Sequence, residues 1–201
     1  MQKTSAVHTI REELLSVVCF LAVIWVTFFL DWLLPLSETF SLVPRSLMGL
    51  TGVVAMPFLH GGLGHIWGNT IPLFVLLVLL AGSRAKSWEI VFQITVLGGL
   101  LLWVFGRESR HIGASLLVFG LITFLISSGL FEKRIVSLAI AGLVGFMYGF
   151  TLLWGIIPKL GNSRVSWDGH LCGGIAGVMV AYVLTRFSQS RATEKGSSTA
   201  H

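Results

Sequence analysis

Apolar residues along this chain gather into six runs, approximately 14–30, 66–82, 88–105, 112–131, 135–157 and 167–185, with polar breaks between them. Each run meets or approaches the ~17–25 residues that a helix needs to cross a bilayer. In lipid every backbone polar group must be paired internally, so runs of this length predict helices. The pattern therefore predicts an all-α, polytopic membrane protein with six transmembrane helices in one domain, covering 14–186. Only the first connection, 31–64, is long. Its mixture of apolar residues, Pro and Gly suits a segment lying partly in the membrane interface. The polar ends, 1–13 and 187–201, are expected to be frayed cytoplasmic segments.

Composition agrees with this reading. Hydrophobic residues make up 54% of the 201 and charged residues 11%, with a mean hydropathy of +0.85. A soluble domain carries about a quarter charged residues. The first run is expected to be retained and not cleaved as a signal, because Asp31, Trp32 and a Pro-containing stretch follow it in place of a small-residue cleavage site. With the N-terminus inside, the inner segments hold nine Lys and Arg (Lys3, Arg11, Arg84, Lys86, Lys133, Arg134, Arg186, Arg191, Lys195). The outer ones hold five (Arg45, Arg107, Arg110, Lys159, Arg164). This asymmetry puts both ends in the cytoplasm. Basic residues beside anionic lipid account for the net charge of +5, so the lipid bilayer is the partner it implies and no nucleic acid is needed. Cys19 and Cys172 both fall within spans, where neither a disulfide nor half of a metal motif is expected.

Polar side chains within the spans are not scattered. His65 and Asn69 stand at and just inside the second span, Ser115 just inside the fourth, and His170 just inside the sixth. In a six-span chain these even-numbered spans all begin at the same membrane face, so the four residues share one depth to within a turn or two. Ionisable groups inside a membrane are functional candidates by default. A serine at such a site is also explained by a bond to its own helix backbone, and a buried amide by interhelical packing. Taken together, the four supply acyl-transfer chemistry. His170 can take the proton of Ser115, while His65 and Asn69, four residues apart on one helical face, can donate to an oxyanion. Gly173, Gly174 and Gly177 clear one face of the sixth span for a close neighbour. Phe119, one turn beyond Ser115, is placed either to hold the imidazole or to pack in the core. Asp168, two residues from His170 on a helix, points elsewhere, which favours a dyad over a triad.

The stretch "HGGLGHIWGN" at 60–69, "GAS" at 113–115 and "GHLCGGIAG" at 169–177, in this order on alternate spans, resemble the rhomboid intramembrane serine proteases over nearly the whole chain. The resemblance implies a rhomboid-like bundle with Ser115 as nucleophile and His170 as general base, assisted at the oxyanion by His65 and Asn69. It also implies supporting roles for His60, Gly113, Phe119, Gly173 and Gly177. The implied reaction is hydrolysis of a peptide bond in or beside the span of a transmembrane protein substrate, with neither cofactor nor metal. Compact size and the absence of added domains lead to the expectation of a bacterial inner membrane.

Two departures stand against the family pattern. Leu116 follows Ser115 where the family usually has Gly, and Thr51-Gly52 stands near the place of a Trp-Arg pair. Leucine beside the nucleophile is expected to crowd helices that normally touch closely, so that Leu116→Gly raises activity under the protease reading, whereas unchanged rates mean the leucine is accommodated. The rival reading is a pseudoprotease that binds membrane clients without cutting them. A haem protein using His65 and His170 leaves Ser115 and Asn69 unexplained. A transporter lacks a charge at any span centre, and a zinc protease lacks its HExxH motif.

Overall fold

The computed structural model describes residues 10–84, 86–157 and 166–198. Parts of the expected terminal segments (1–9 and 199–201), together with Lys159 and Arg164 of the charge count, lie outside the described residues. In chain order the α-helices are α1 (Ile10–Leu30), α2 (Leu36–Phe40), α3 (Gly52–Ala55), α4 (Leu63–Ser83), α5 (Ser87–Phe105), α6 (Ser115–Glu132), α7 (Ile135–Ile156) and α8 (Trp167–Ser198). Among the described residues, six of them are long and apolar enough to cross a membrane.

Hydropathy alone does not rank these helices, because apolar residues on every side suit lipid as well as protein. Small residues do. Gly173 and Gly177 on α8 lie directly against the backbone of α6, where a Cβ on either would run into the carbonyls of Leu116 and Gly120. Thr123 Oγ1 adds a hydrogen bond to the Gly174 carbonyl at 2.8 Å. This close seam draws α6 into the middle of the bundle, with 72% of its span buried, against 11% for α7. At the far end from the N-terminus of α6, Arg84 pairs with Glu132, and Ser87 Oγ donates to a buried Glu13 carboxylate at 2.7 Å. These polar contacts tie α4 to α6 and α5 to α1.

The long first connection folds as α2, α3 and short 3-10 turns at Met48–Thr51 and Met56–Phe58. Gly52 takes the place Trp-Arg was expected near and sits so tightly on the Leu42 backbone that a side chain would not fit. Leu33, Leu47 and Met48 are all more than 70% exposed on this segment. Apolar groups held outward in that way suit the membrane interface. Cys19 and Cys172 are free.

Two boundaries differ from those expected. The fourth span begins at Ser115 and not at 112. The backbone of His111 is paired with that of Leu42 in an isolated antiparallel bridge (2.8 and 3.1 Å), and Gly113 has φ +109°, so no helix can form there. The helix of the sixth span, expected to end near 185, continues as α8 to Ser198.

Candidate active site

Ser115 is the first residue of α6, after the Ala114 N-cap. The first four N–H groups of a helix have no intrahelical partner, so the backbone beside the Ser115 hydroxyl carries unpaired donors and the positive end of the helix dipole. Gly113, just before, supplies the turn. Its positive φ disfavours side chains, and a Cβ would lie 2.5 Å from His65 Nε2 and 2.7 Å from Cε1. Glycine is thus what lets the His65 ring reach the backbone leading into Ser115. Asn69, one turn further along α4, is 5% exposed and donates from Nδ2 to the His65 carbonyl at 3.0 Å.

His170 enters from the first turn of α8. Its ring lies parallel to Phe119, 4.0 Å between centroids and 3° between planes. Its Nδ1 is 2.9 Å from the carbonyl oxygen of Gly155, near the end of α7. A cavity of about 790 Å³ opens at this end of the bundle and is lined by His65, Asn69, Ser115, Phe119, Tyr148 and His170, among others. Ser115 and His170 share its wall, with no hydrogen bond between them among the described residues. Catalytic hydrogen bonds often tighten only with substrate in place.

Leu116 does not hold the helices apart. Its side chain is 2% exposed among Leu42, Val53, Met56, Leu102 and Cys172, and it fills the space over Gly98 of α5, where a Cβ would come within 2.7 Å of Leu116 Cδ2. Contact between α6 and α8 survives because it runs through the Leu116 backbone carbonyl and Gly173. The bulk expected beside the nucleophile is accommodated on the opposite side.

His60 is 2% exposed in the turn before α4, its ring edge-on to His65 at 5.0 Å. Neither nitrogen finds a hydrogen-bond partner among the described residues. Burial, with the nearby His65, pushes its pKa down to about 4.

One group of side chains was not singled out from sequence. His111 is 2% exposed, with Nδ1 2.8 Å from Ser166 Oγ and Nε2 3.1 Å from Ser109 Oγ. Asp168 accepts from the Arg107 backbone N–H at 2.9 Å and its guanidinium at 3.1 Å, and lies 3.8 Å from His111. Asp168 thus anchors the α5–α6 loop to the start of α8. Burial lowers the His111 pKa, partly offset by the Arg107 carbonyl and Asp168. The sequence signal available for His111 was an ionisable residue two positions before Gly113, at the start of an apolar run. No such signal exists for the Gly155 carbonyl, which is backbone.

Six spanning helices around a glycine-lined seam, with a polar cavity at one end, define a polytopic helical membrane protein. The Rhomboid domain family matches residues 48–187. An uncharacterized protein of Mycobacterium tuberculosis is 43% identical over 151 residues, 71% of this chain and 62% of that one. A Mycobacterium leprae protein, also uncharacterized, is 41% identical over 145 residues, 68% of this chain and 57% of its own. A putative rhomboid protein of Acanthamoeba polyphaga mimivirus is 34% identical over 128 residues, 60% of this chain and 67% of that one. The chain belongs to the rhomboid family. The match spans about three-fifths of the length of the mycobacterial relatives.

Proposed function

We propose that this chain is an intramembrane serine endopeptidase that hydrolyses peptide bonds in or next to the spans of other membrane proteins. The observation that carries the reading is the convergence of Ser115, His170, His65 and Asn69, from three helices, on one cavity. Ser115 Oγ attacks the scissile carbonyl carbon while its proton passes to His170. The oxyanion is met by His65, Asn69 and the unpaired N–H groups at the start of α6. The C–N bond then breaks as His170 hands the proton to the leaving amine, and water releases the acyl group by the same route in reverse. Phe119 holds the imidazole by stacking, and Gly113, Gly173 and Gly177 allow the approaches that bring the groups together. His60 buttresses His65. The site uses the chain's own residues, with neither metal nor cofactor. The nine-to-five distribution of Lys and Arg supports cytoplasmic ends in a bacterial inner membrane, 1–13 and 187–201 flanking the 14–186 membrane domain.

Labelling the detergent-purified protein with a fluorescent fluorophosphonate tests this. The wild type is expected to label, and Ser115→Ala and His170→Ala are expected not to, while remaining folded. Labelling that persists in Ser115→Ala refutes the assignment. The alternative is a client-binding pseudoprotease, for which Leu116 in place of the family's usual Gly after Ser115 is the supporting feature. A folded wild type that never labels, beside an active relative that does, selects it.

A further inference from the structure

In serine hydrolases with a triad, a buried carboxylate holds the histidine in the tautomer that leaves its second nitrogen basic. Asp168, the acidic residue nearest in sequence to His170, is engaged with Arg107. His170 Nδ1 instead lies 2.9 Å from the Gly155 carbonyl oxygen. Its position has a local cause. α7 ends at Ile156, and Ile157 is extended with ψ 125°, so the Gly155 carbonyl falls among the last four of the helix, which have no intrahelical donor. A glycine is required there, since a Cβ would meet the Phe119 ring, 2.7 Å from Cε1, and come 3.3 Å from His170 Nδ1. The carbonyl therefore reaches the imidazole edge while Phe119 covers its face.

We infer that the C-terminal end of α7, through the Gly155 carbonyl, is the third member of the catalytic relay and holds His170 in its Nδ1–H tautomer. The inference rests on the serine-protease reading of the same site. A carbonyl oxygen only accepts, so Nδ1 carries the proton and Nε2 of the neutral ring carries the lone pair. When the Ser115 proton moves to Nε2, the Nδ1–H bond to Gly155 is retained and becomes charge-assisted. The same helix end presents the negative pole of the α7 dipole to the imidazolium, as a carboxylate would. Nothing is consumed in this arrangement, and the proton leaves from Nε2 to the departing amine. Gly155 is a positioning residue, acting on substrate only through His170.

The experiment is ¹⁵N NMR of the full chain in detergent with ring-labelled histidine, the His170 signals assigned by their loss in His170→Gln. The expected wild-type spectrum shows Nδ1 protonated and Nε2 unprotonated. An Nε2–H tautomer, or an averaged mixture, overturns the inference without any variant. In Gly155→Ala the signals are expected to move toward the mixture. kcat should fall roughly 10- to 100-fold, the factor carried by one hydrogen bond to a charged group, with KM little changed. A folded Gly155→Ala protein that loses activity yet keeps the wild-type tautomer also overturns it. Fluorophosphonate labelling of the same wild-type sample separates the two claims. An Nδ1–H signature without labelling supports the tautomer assignment and removes the protease reading, whereas labelling with an Nε2–H signature does the reverse.

Discussion

Leu116 and Gly98 are expected to be energetically coupled, in a way that a leucine tolerated beside a nucleophile would not otherwise require. Leu116→Ala deletes a side chain that is 2% exposed among five buried neighbours. That loss, with the cavity left behind, costs about 2–5 kcal/mol. Gly98→Ala places a methyl 2.7 Å from Leu116 Cδ2, an overpacking that costs about 1–3 kcal/mol. With leucine gone, the same methyl meets only ordinary contacts, Ala176 Cβ at 3.4 Å and Gly173 Cα at 3.5 Å. The double variant should therefore be less destabilised than the sum of the singles by about 1–3 kcal/mol. Unfolding of the detergent-purified proteins, followed by helicity against increasing SDS, measures all four corners of the cycle. Additivity to within about 0.5 kcal/mol refutes the packing argument. The activity consequence runs opposite to what the family pattern suggests. Leu116→Gly is expected to lower the labelling rate along with stability, and a rise in labelling counts against Leu116 being accommodated by Gly98.

Asn69→Ala should slow cleavage by about 10²–10³-fold, or by less where His65 and the α6 N–H groups compensate, with the fold retained; an unchanged rate removes Asn69 from the oxyanion site. Gly113→Ala combines a positive φ with a clash against His65, so turnover of a model transmembrane substrate should drop, and a fully active variant shows that His65 need not approach the turn. His60 gives a pH dependence. Its folded pKa of about 4 lies below the ordinary 6.5, so its contribution to stability is complete above pH 6.5 and is lost as pH falls toward 4. The loss amounts to about 3 kcal/mol, read as a falling melting temperature over that window, and His60→Gln should flatten the trend.

Hydrophobic run length was enough to give six spans and their order, because lipid leaves a chain no alternative to internally paired helices. The shared depth of His65, Asn69, Ser115 and His170 was legible for the same reason, since a fixed bilayer thickness turns position along a span into height. Gly173 and Gly177 could likewise be read as a face for close approach. Hydropathy was blind to what happens across the bundle. That α6 is central and α7 peripheral depends on which glycines meet which carbonyls, and the room for Leu116 depends on Gly98, on the preceding span and adjacent only in space. The start of α6 at Ser115 was hidden because a backbone pairing with Leu42, in the first loop, decides it. Least visible of all was the carbonyl beside His170 Nδ1. A main-chain carbonyl has no side-chain identity to read, and only the termination of α7 beside the start of α8 brings it there.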